Sequence, residues 1–204
     1  MLYRETVEFS TLELLRRLLS LATFKDFALA GGTALALQYG HRISVDLDLF
    51  VSSPFNTEEA LESIRESKSS FQVLGQGRNT LNLEIEGIKV DLLSHQYPHL
   101  SDRVEVEGIR FLSIADIAAM KLSAMAQRGS KKDFFDVDEL LKHFSLRELI
   151  SFYSKKYNEQ NLFYLLKSLT YFQDAEAEPD PKVLNGVSWG NVKSNLIKAA
   201  NAFI

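Results

Sequence analysis

The stretch that decides the fold is GHRISVDLDLFV, residues 40–51, in which Asp46 and Asp48 stand one residue apart in an apolar run. Side chains alternate across a β-strand with a period of two. The pattern therefore predicts a strand over residues 43–51 with both aspartates on one face. The side chains expected on the other face are Val45, Leu47 and Leu49. Two carboxylates this close repel each other, and burial makes each harder to ionise, so we expect a positive group between them.

A third aspartate, Asp91, lies in IKVDLLS, residues 88–94, and its neighbours are again apolar. If this strand lies beside residues 43–51, opposed side chains are roughly 5 Å apart and three carboxylates converge. Such a cluster is costly at a poorly solvated site unless a hard cation such as Mg²⁺ binds it. The alternative interpretation is that these aspartates cap loops, pair with lysines or lie on a solvated face.

A glycine pair precedes the aspartates. Gly31-Gly32-Thr33 stands between an apolar strand predicted over residues 27–30 and a short helix predicted over 33–39, which Gly40 ends. Glycines let the backbone approach a phosphate closely, and the free amides of a helix N-terminus favour an anion. A lone glycine pair usually marks a turn. Its combination with the aspartate strand predicts a phosphate site.

The remainder of the chain predicts an α+β fold. It consists of a small mixed β-sheet core with flanking helices over residues 1–112, followed by a helical region over 113–204 that we expect to complete the site. Ser10 and Glu13 suggest a capping box that starts a first helix. The other predicted elements are antiparallel strands at 71–75, 80–85 and 88–94, a hairpin at 103–112, helices at 113–127, 130–143, 145–156, 158–172 and 190–203, and a surface loop at 173–190.

A second unusual stretch is KLSAMAQRGSKKDFFDVDELL, residues 121–141. Lys121 and Arg128 share one helix face, and the break at Gly129-Ser130 could turn the chain and bring Asp133 to Lys121. The alternative interpretation is that these charged residues only form the solvated faces of two surface helices. Further on, residues 153–171 mix tyrosines with lysines. Such a mixture either packs in the core or stacks nucleotide bases.

The bulk composition excludes several classes of protein. The 204 residues carry a net charge of −4, 46% are hydrophobic, and there is no cysteine. Because the net charge is negative, the composition gives no sign of a nucleic-acid partner. Because there is no cysteine, disulfides and thiolate metal sites are excluded. The N-terminal MLYRETVEFS lacks the apolar core of a signal peptide, and no apolar stretch approaches 18 residues, so we expect a cytoplasmic protein without a membrane span.

The order of Gly-Gly-Thr, Asp-Leu-Asp-Leu and a later strand aspartate resembles the nucleotidyltransferase fold of DNA polymerase beta. The string HRISVDLDLF resembles the Arg-x-Ser-x-Asp-x-Asp signature of the AbiEii/AbiGii toxin group within that superfamily. The resemblance implies that Mg²⁺ or Mn²⁺ is bound by the three aspartates, of which Asp91 activates the attacking hydroxyl. It also implies a set of nucleotide-binding residues, namely Gly31, Gly32, Thr33, Arg42, Ser44, Lys121 and Arg128.

The same toxin group carries a lysine, an arginine and an Arg/Lys-Asp-x-x-Asp in the order found at residues 121–136. By that resemblance Lys121 contacts the triphosphate, and Asp133 orients the Lys121 side chain. Many relatives have arginine before that aspartate, whereas Lys132 stands here, which puts a bidentate role at this position in doubt.

The function implied is transfer of a nucleoside monophosphate from a nucleoside triphosphate (NTP) to an acceptor hydroxyl. The resemblance implies a toxin of a toxin–antitoxin or abortive-infection pair, with RNA, in particular tRNA, as acceptor and a cognate antitoxin as partner. One alternative is the same chemistry on a small molecule such as an aminoglycoside or on a protein, for which the acidic segment 173–190 could line a pocket. A further alternative is a catalytically silent nucleotide-binding module.

Overall fold

A seven-stranded mixed sheet forms the centre of the protein. The computed structural model describes residues 1–203, so residue 204 of the predicted helical region lies outside the described part. The strands follow the order β3-β4-β5-β2-β1-β7-β6 across the sheet. Their bounds are Ala28–Ala30 (β1), Leu47–Val51 (β2), Phe71–Gly77 (β3), Thr80–Ile85 (β4), Ile88–Ser94 (β5), Val104–Val106 (β6) and Ile109–Phe111 (β7).

The two aspartate strands are direct neighbours. Strand β2 pairs with β5 in parallel and with β1 in antiparallel orientation. The hairpins β4–β5 and β6–β7 turn at Glu86-Gly87 and Glu107-Gly108, and all four residues have positive φ, as a two-residue hairpin turn of matching twist requires. The predicted mixed sheet and both predicted hairpins are confirmed.

The start of β2 was predicted wrongly. The strand begins at Leu47, and Val45 is 55% exposed, whereas Leu47 and Leu49 are completely buried as expected. The backbone before Leu47 bonds to other segments of the chain, because the Ser44 amide donates to the Thr6 carbonyl and the Ile43 amide donates to Lys182. Asp46 therefore lies in a loop that leads into the strand.

Helices cover both the sheet and one another. Their bounds are Phe9–Ser20 (α1), Gly31–Tyr39 (α2), Thr57–Glu66 (α3), Ile114–Arg128 (α4), Lys131–Leu141 (α5), Leu146–Tyr157 (α6), Phe163–Ser168 (α7), Gln173–Glu176 (α8) and Trp189–Phe203 (α9). Short 3₁₀ turns lie at Arg4–Thr6 and Ala22–Phe24. Gly40 ends α2 with a φ of 72°, as predicted. No helix within residues 1–203 is long and apolar enough to cross a membrane.

Three local predictions were wrong. The helix predicted over 158–172 is limited to α7, Phe163–Ser168. The capping box does not form, because α1 begins at Phe9 behind Glu8, which places Ser10 inside the helix. The segment 173–190 is more than a surface loop, since it contains α8, and Val183 forms a β-bridge with Arg42. The apolar side chain of Trp189, at its end, is largely buried because it packs among phenylalanines.

The packing places Asp48 and Asp91 on the face of the sheet opposite the buried leucines. Leu47, Leu49 and Leu92 are fully buried in the core, so the alternate positions on β2 and β5 face the opposite side. Residues of helix α4 share a small cavity with Asp48 and Phe50 on that side, and α4 contacts both α2 and α5. The division of the chain at residue 112 stays a prediction.

Candidate active site

The centre of the site is a pair of opposed carboxylates. In the parallel register Asp48 stands directly opposite Asp91, as the sequence pattern required if the strands were neighbours. Asp46 precedes the strand, and its side chain is 35% exposed. All three carboxylates line one small cavity of about 70 Å³, which Lys89, Lys121 and Lys132 also line. The structure thus brings the three predicted aspartates together on one side of the sheet.

The positive groups expected near the aspartates are lysines. Lys89 lies 3.1 Å from Asp91, whose other oxygen accepts a hydrogen bond of 2.8 Å from Asn82. Lys132 lies 3.7 Å from an Asp46 oxygen. Within residues 1–203, the Asp48 carboxylate has neither a hydrogen bond nor an ion pair. Asp48 is therefore the aspartate whose charge the protein leaves least compensated.

Electrostatics at Asp48 are unfavourable to its ionised form. Burial raises its pKa above the ordinary value, and although Lys121 acts in the opposite direction, Asp91 and Asp46 raise the pKa further. A hard cation bound through oxygen would reverse that cost. The described residues contain no preformed group of three or more acidic or histidine side chains able to hold a metal ion by themselves. The oxygen donors at Asp48 and Asp91 fit Mg²⁺ that shares its coordination with substrate phosphates.

The glycines are required by close packing around this pair. Gly31 has a φ of 67°, and a Cβ atom there would lie 2.0 Å from Asp48 Oδ2. A Cβ atom at Gly32 would lie 2.2 Å from a terminal guanidinium nitrogen of Arg42. The glycine pair therefore makes room for two charged side chains at the start of α2. A phosphate contact through its backbone stays a prediction.

Thr33 braces the loop that carries Asp46. Thr33 as a whole is 1% exposed, and its hydroxyl group hydrogen-bonds with Ser44 Oγ at 2.9 Å and donates to the Asp46 carbonyl oxygen. These contacts fix the backbone just before β2. Thr33 and Ser44 were predicted to bind nucleotide, and in this structure their hydroxyl groups serve each other and the loop.

A buried ion network lies behind the pocket. Asp136 is fully buried and accepts two hydrogen bonds from Arg42, of 2.7 and 2.9 Å. Lys121 and His41 each lie 2.7 Å from an Asp136 oxygen. Burial acts to raise the pKa of Asp136, but Arg42 and Lys121 hold it well below its ordinary value. Asp136 is therefore an anion that holds three positive or polar groups in place.

The second half of this network is the predicted helical motif. Lys121 lies 3.0 Å from Asp133, which confirms the contact expected across the Gly129-Ser130 break. Arg128 donates two hydrogen bonds to Asp133, of 2.7 and 2.9 Å, while more than half of its side chain stays exposed. Asp136 and Asp133 together raise the pKa of Lys121 although burial lowers it, so the ammonium group stays charged beside the carboxylates.

Comparison with known proteins decides the family. The sequence model of a family described as "Nucleotidyl transferase AbiEii toxin, Type IV TA system" matches residues 13–195. The chain belongs to this family. A relative in Aquifex aeolicus (strain VF5), an uncharacterized protein, is 41% identical over 172 residues, which cover 81% of this chain and 83% of the relative.

Two solved structures share the fold of this AbiEii-family nucleotidyltransferase. JHP933 from Helicobacter pylori is 21% identical, with a TM-score of 0.59 and coverage of 96% of this chain and 92% of the other. The nucleotidyltransferase toxin MenT4 from Mycobacterium tuberculosis H37Rv is 14% identical, with a TM-score of 0.60 and coverage of 92% and 80%. The predicted nucleotidyltransferase fold and the assignment to this enzyme family are confirmed.

Sequence reasoning missed Lys89 and His41 in the site of this AbiEii-family enzyme, and it named Asp136 only as the last residue of the helical motif, with a structural role as likely as a functional one. Lys89 stands two positions before Asp91 on β5, and strand alternation alone places both on one face. Asp136 lies one helical turn after Asp133, which placed it on the same face, but nothing local indicated its pairing with Arg42. His41 gave no signal, because it reaches Asp136 across 95 residues of sequence.

Proposed function

We propose that this AbiEii-family enzyme transfers a nucleoside monophosphate from an NTP to a hydroxyl group of RNA, with tRNA as the expected acceptor and Mg²⁺ as the cofactor. The observation that carries the proposal is the Asp48–Asp91 pair, because it lies in the same pocket as three lysines. Opposed carboxylates attract a divalent cation, and ammonium groups beside them attract phosphates.

The triphosphate would lie along the positive rim of this pocket. Lys89, Lys132 and Arg128 are each about half exposed, so their charged ends can reach a ligand without unfolding any element. Mg²⁺, held by Asp48 and Asp91 with help from Asp46 and phosphate oxygens, would supply positive charge to the reacting phosphate group. Lys121 would add a fixed positive charge from behind.

The reaction replaces one phosphorus–oxygen bond by another. The acceptor hydroxyl oxygen forms a bond to the α-phosphorus, and the bond from that phosphorus to the α,β-bridging oxygen breaks. Pyrophosphate leaves with the bonding electrons, and the acceptor's proton passes to a carboxylate. Asp91 is the proposed base, which is the role that the family resemblance implies for the third carboxylate.

The buried network would position these groups. Asp133 and Asp136 lie on either side of the Lys121 ammonium group, at 3.0 and 2.7 Å, and no rotation of the lysine is needed when substrate arrives. Fixed charges of this kind stabilise developing negative charge more than mobile ones, because they need no reorganisation. Asp133 and Asp136 are therefore positioning residues that act through Lys121.

A toxin role follows from the family, and a cognate antitoxin would be needed to restrain it. The alternative of a small-molecule acceptor depended on the acidic segment 173–190. In the structure Glu178 accepts hydrogen bonds of 2.8 Å from the Ser130 hydroxyl and the Lys131 amide, and Asp180 pairs with Lys131 at 3.0 Å. These carboxylates are engaged with the start of α5, which weakens the support for a small-molecule acceptor.

The test is an incubation with labelled NTPs, Mg²⁺ and total cellular RNA, protein or small metabolites in separate reactions. Label in a tRNA-sized band, absent with Asp46→Ala/Asp48→Ala, is the expected result. Label in protein or in a small molecule would contradict the RNA acceptor and support nucleotidyl transfer to that other acceptor. Binding of NTP without transfer to any acceptor would contradict the proposal and support a silent nucleotide-binding module.

A further inference from the structure

A large cleft continues from the carboxylate pair away from the lysine-rich pocket. Its volume is about 670 Å³, which is within the range of small-ligand sites. Asp48, Asp91 and Arg128 line its inner end. Whatever fills the cleft therefore touches the groups that would hold the reacting phosphate.

The wall of the cleft is aromatic. His95 and Tyr97 come from the segment after β5, and Tyr153 and Tyr157 come from α6. The Tyr97 ring centroid lies 4.8 Å from that of Tyr157 and 4.8 Å from that of His95. Tyr97 remains 45% exposed, so much of its ring is open to a ligand. Of the aromatic side chains over residues 153–171, for which the sequence left core packing and base stacking open, Tyr153 and Tyr157 thus line an open cavity.

The wall carries no net charge at neutral pH. Burial and the nearby Lys156 lower the pKa of His95 to about 4, so its imidazole is neutral. Burial raises the pKa of Tyr157 to about 12, so its ring is also neutral. His95 Nε2 is buried and has no hydrogen-bond partner among residues 1–203. Neutral flat rings favour a flat, weakly charged ligand group over a phosphate.

A buried ion pair fixes this wall. Lys156 is 2% exposed and lies 2.7 Å from Asp116 on α4, and it also donates to the Pro98 carbonyl at 3.2 Å. Asp116 accepts a hydrogen bond of 3.0 Å from the Leu100 amide. The pair therefore fastens both tyrosine-bearing segments, the chain around Pro98 and α6, to the helix beneath the cleft. Such a prearranged wall loses little freedom when a ligand binds.

Polar side chains complete the cleft. Ser123 and Gln127 on α4 and Glu159 just after α6 all line it, and they offer both donors and acceptors. Aromatic faces with a few donors and acceptors are the features by which proteins bind single unstacked bases. A lipid or an aliphatic group would not use these polar positions.

We propose that this cleft binds a nucleobase, which stacks on the exposed face of Tyr97 while its phosphate reaches the carboxylate pair; Tyr157, whose ring is tilted 75° to that of Tyr97, would support Tyr97 from the side. The inference rests on the proposed function, since it requires a nucleotide at Asp48 and Asp91. The base belongs either to the incoming NTP or to the terminal nucleotide of the acceptor RNA. Both sources present the same flat ring to the same wall.

The experiment measures binding by calorimetry in two arms, with each of the four NTPs plus Mg²⁺ in one arm and a short RNA with a free 3′ hydroxyl in the other. Because stacking on an aromatic ring contributes substantially to the binding of a base, Tyr97→Leu should reduce the affinity about tenfold in one of the two arms. Tyr97→Phe, which keeps the ring, should bind like the wild type. Because Tyr97 is 45% exposed, both variants should fold, and circular dichroism of each variant checks this.

The matched control is Tyr164→Leu, because Tyr164 is 74% exposed on α7 and does not line the cleft. The arm that Tyr97→Leu weakens identifies the source of the base. Equal binding by wild type and Tyr97→Leu in both arms would overturn the inference and leave the proposed function intact. A wild-type protein that binds neither NTP nor RNA would overturn both.

Discussion

Arg42 and Asp136 form a two-point ion pair, with Nε to Oδ1 at 2.7 Å and the second nitrogen to Oδ2 at 2.9 Å, although 94 residues separate them. The pair joins the segment before β2 to helix α5. Asp46 lies four residues after Arg42 and Lys132 four residues before Asp136. The pair therefore sets the distance between two groups that line the reaction pocket.

Replacement of Asp136 by asparagine should destabilise the protein strongly. The variant leaves Arg42 and Lys121 buried with too little negative charge, and loss of one partner of a buried pair typically costs about 3–5 kcal/mol. Urea unfolding at pH 7 measures the difference. A change in unfolding free energy below about 1 kcal/mol would contradict the account.

The same pair predicts the pH dependence of stability. The pKa of Asp136 is lower in the folded than in the unfolded protein, so its contribution is complete above the unfolded value, about 3.9, and is lost as pH falls towards the folded value. The deficit of Asp136→Asn against wild type should therefore shrink only below about pH 4. Asp138→Asn on the same helix is the control. Burial raises the pKa of Asp138, so removal of its negative charge should not destabilise the folded protein.

Asp48→Asn should stabilise the protein and abolish transfer. The pKa of Asp48 is higher in the folded protein than in the unfolded chain, so the ionised carboxylate destabilises the folded state at neutral pH. This destabilisation grows as the pH rises above the pKa of Asp48 in the unfolded chain. Asparagine removes the charge with little change of shape. Each kcal/mol gained should raise the melting temperature by roughly 2–4 °C, whereas the transfer rate should fall at least about a hundredfold.

Asp91→Asn provides the comparison for that experiment. Asp91 has Lys89 and Asn82 as partners, so neutralising it leaves a lysine without its anion, which offsets the relief of its repulsion with Asp48 and gives less stabilisation than Asp48→Asn. Transfer should fall as it does with Asp48→Asn. A lower melting temperature for Asp48→Asn than for wild type would show that Asp48 is well compensated in the folded state.

Gly31→Ala should damage the site through Asp48. The added methyl group would overlap the Asp48 carboxylate, and the backbone there has a positive φ that alanine adopts at a cost. We expect loss of transfer with a decrease in stability of roughly 1–3 kcal/mol. In an Asp48→Ala background the overlap disappears, so the same substitution should cost less. An equal cost in both backgrounds would show that backbone strain alone is responsible.

Lys89→Gln and Lys132→Gln should each raise the KM for NTP. Both side chains are about half exposed, so neither variant should unfold, and each removes one charged contact to phosphate. A hydrogen bond to a charged group contributes about 1.5 kcal/mol or more, which corresponds to roughly tenfold in KM. Steady-state kinetics on a fixed acceptor measures the effect. Lys25→Gln, an exposed lysine before β1, should change nothing.

Much of the site could be predicted from local sequence patterns. Alternation placed Asp48 and Asp91 on one face of apolar strands, and helix spacing with a glycine break brought Lys121 to Asp133. These contacts follow from periodicity, which a sequence displays directly.

The remainder depended on tertiary contacts that no periodicity encodes. Arg42 meets Asp136 only because α2 and α5 pack together, so its role as an ion-pair partner could not be read from HRISVDLDLF. The strand start at Leu47 was missed for the same reason, since Ser44 pairs its backbone with Thr6. Tyr97 could not be assigned to the cleft before the fold placed it beside α6.

The most direct test of the central claim compares NTP labelled at the α-phosphate with NTP labelled at the γ-phosphate, in reactions with total RNA and Mg²⁺. Nucleotidyl transfer through Asp48 and Asp91 predicts that only the α label enters the acceptor, and that Asp48→Asn and Asp91→Asn abolish it. Entry of the γ label into the acceptor, or undiminished entry of the α label with Asp48→Asn, would contradict the account.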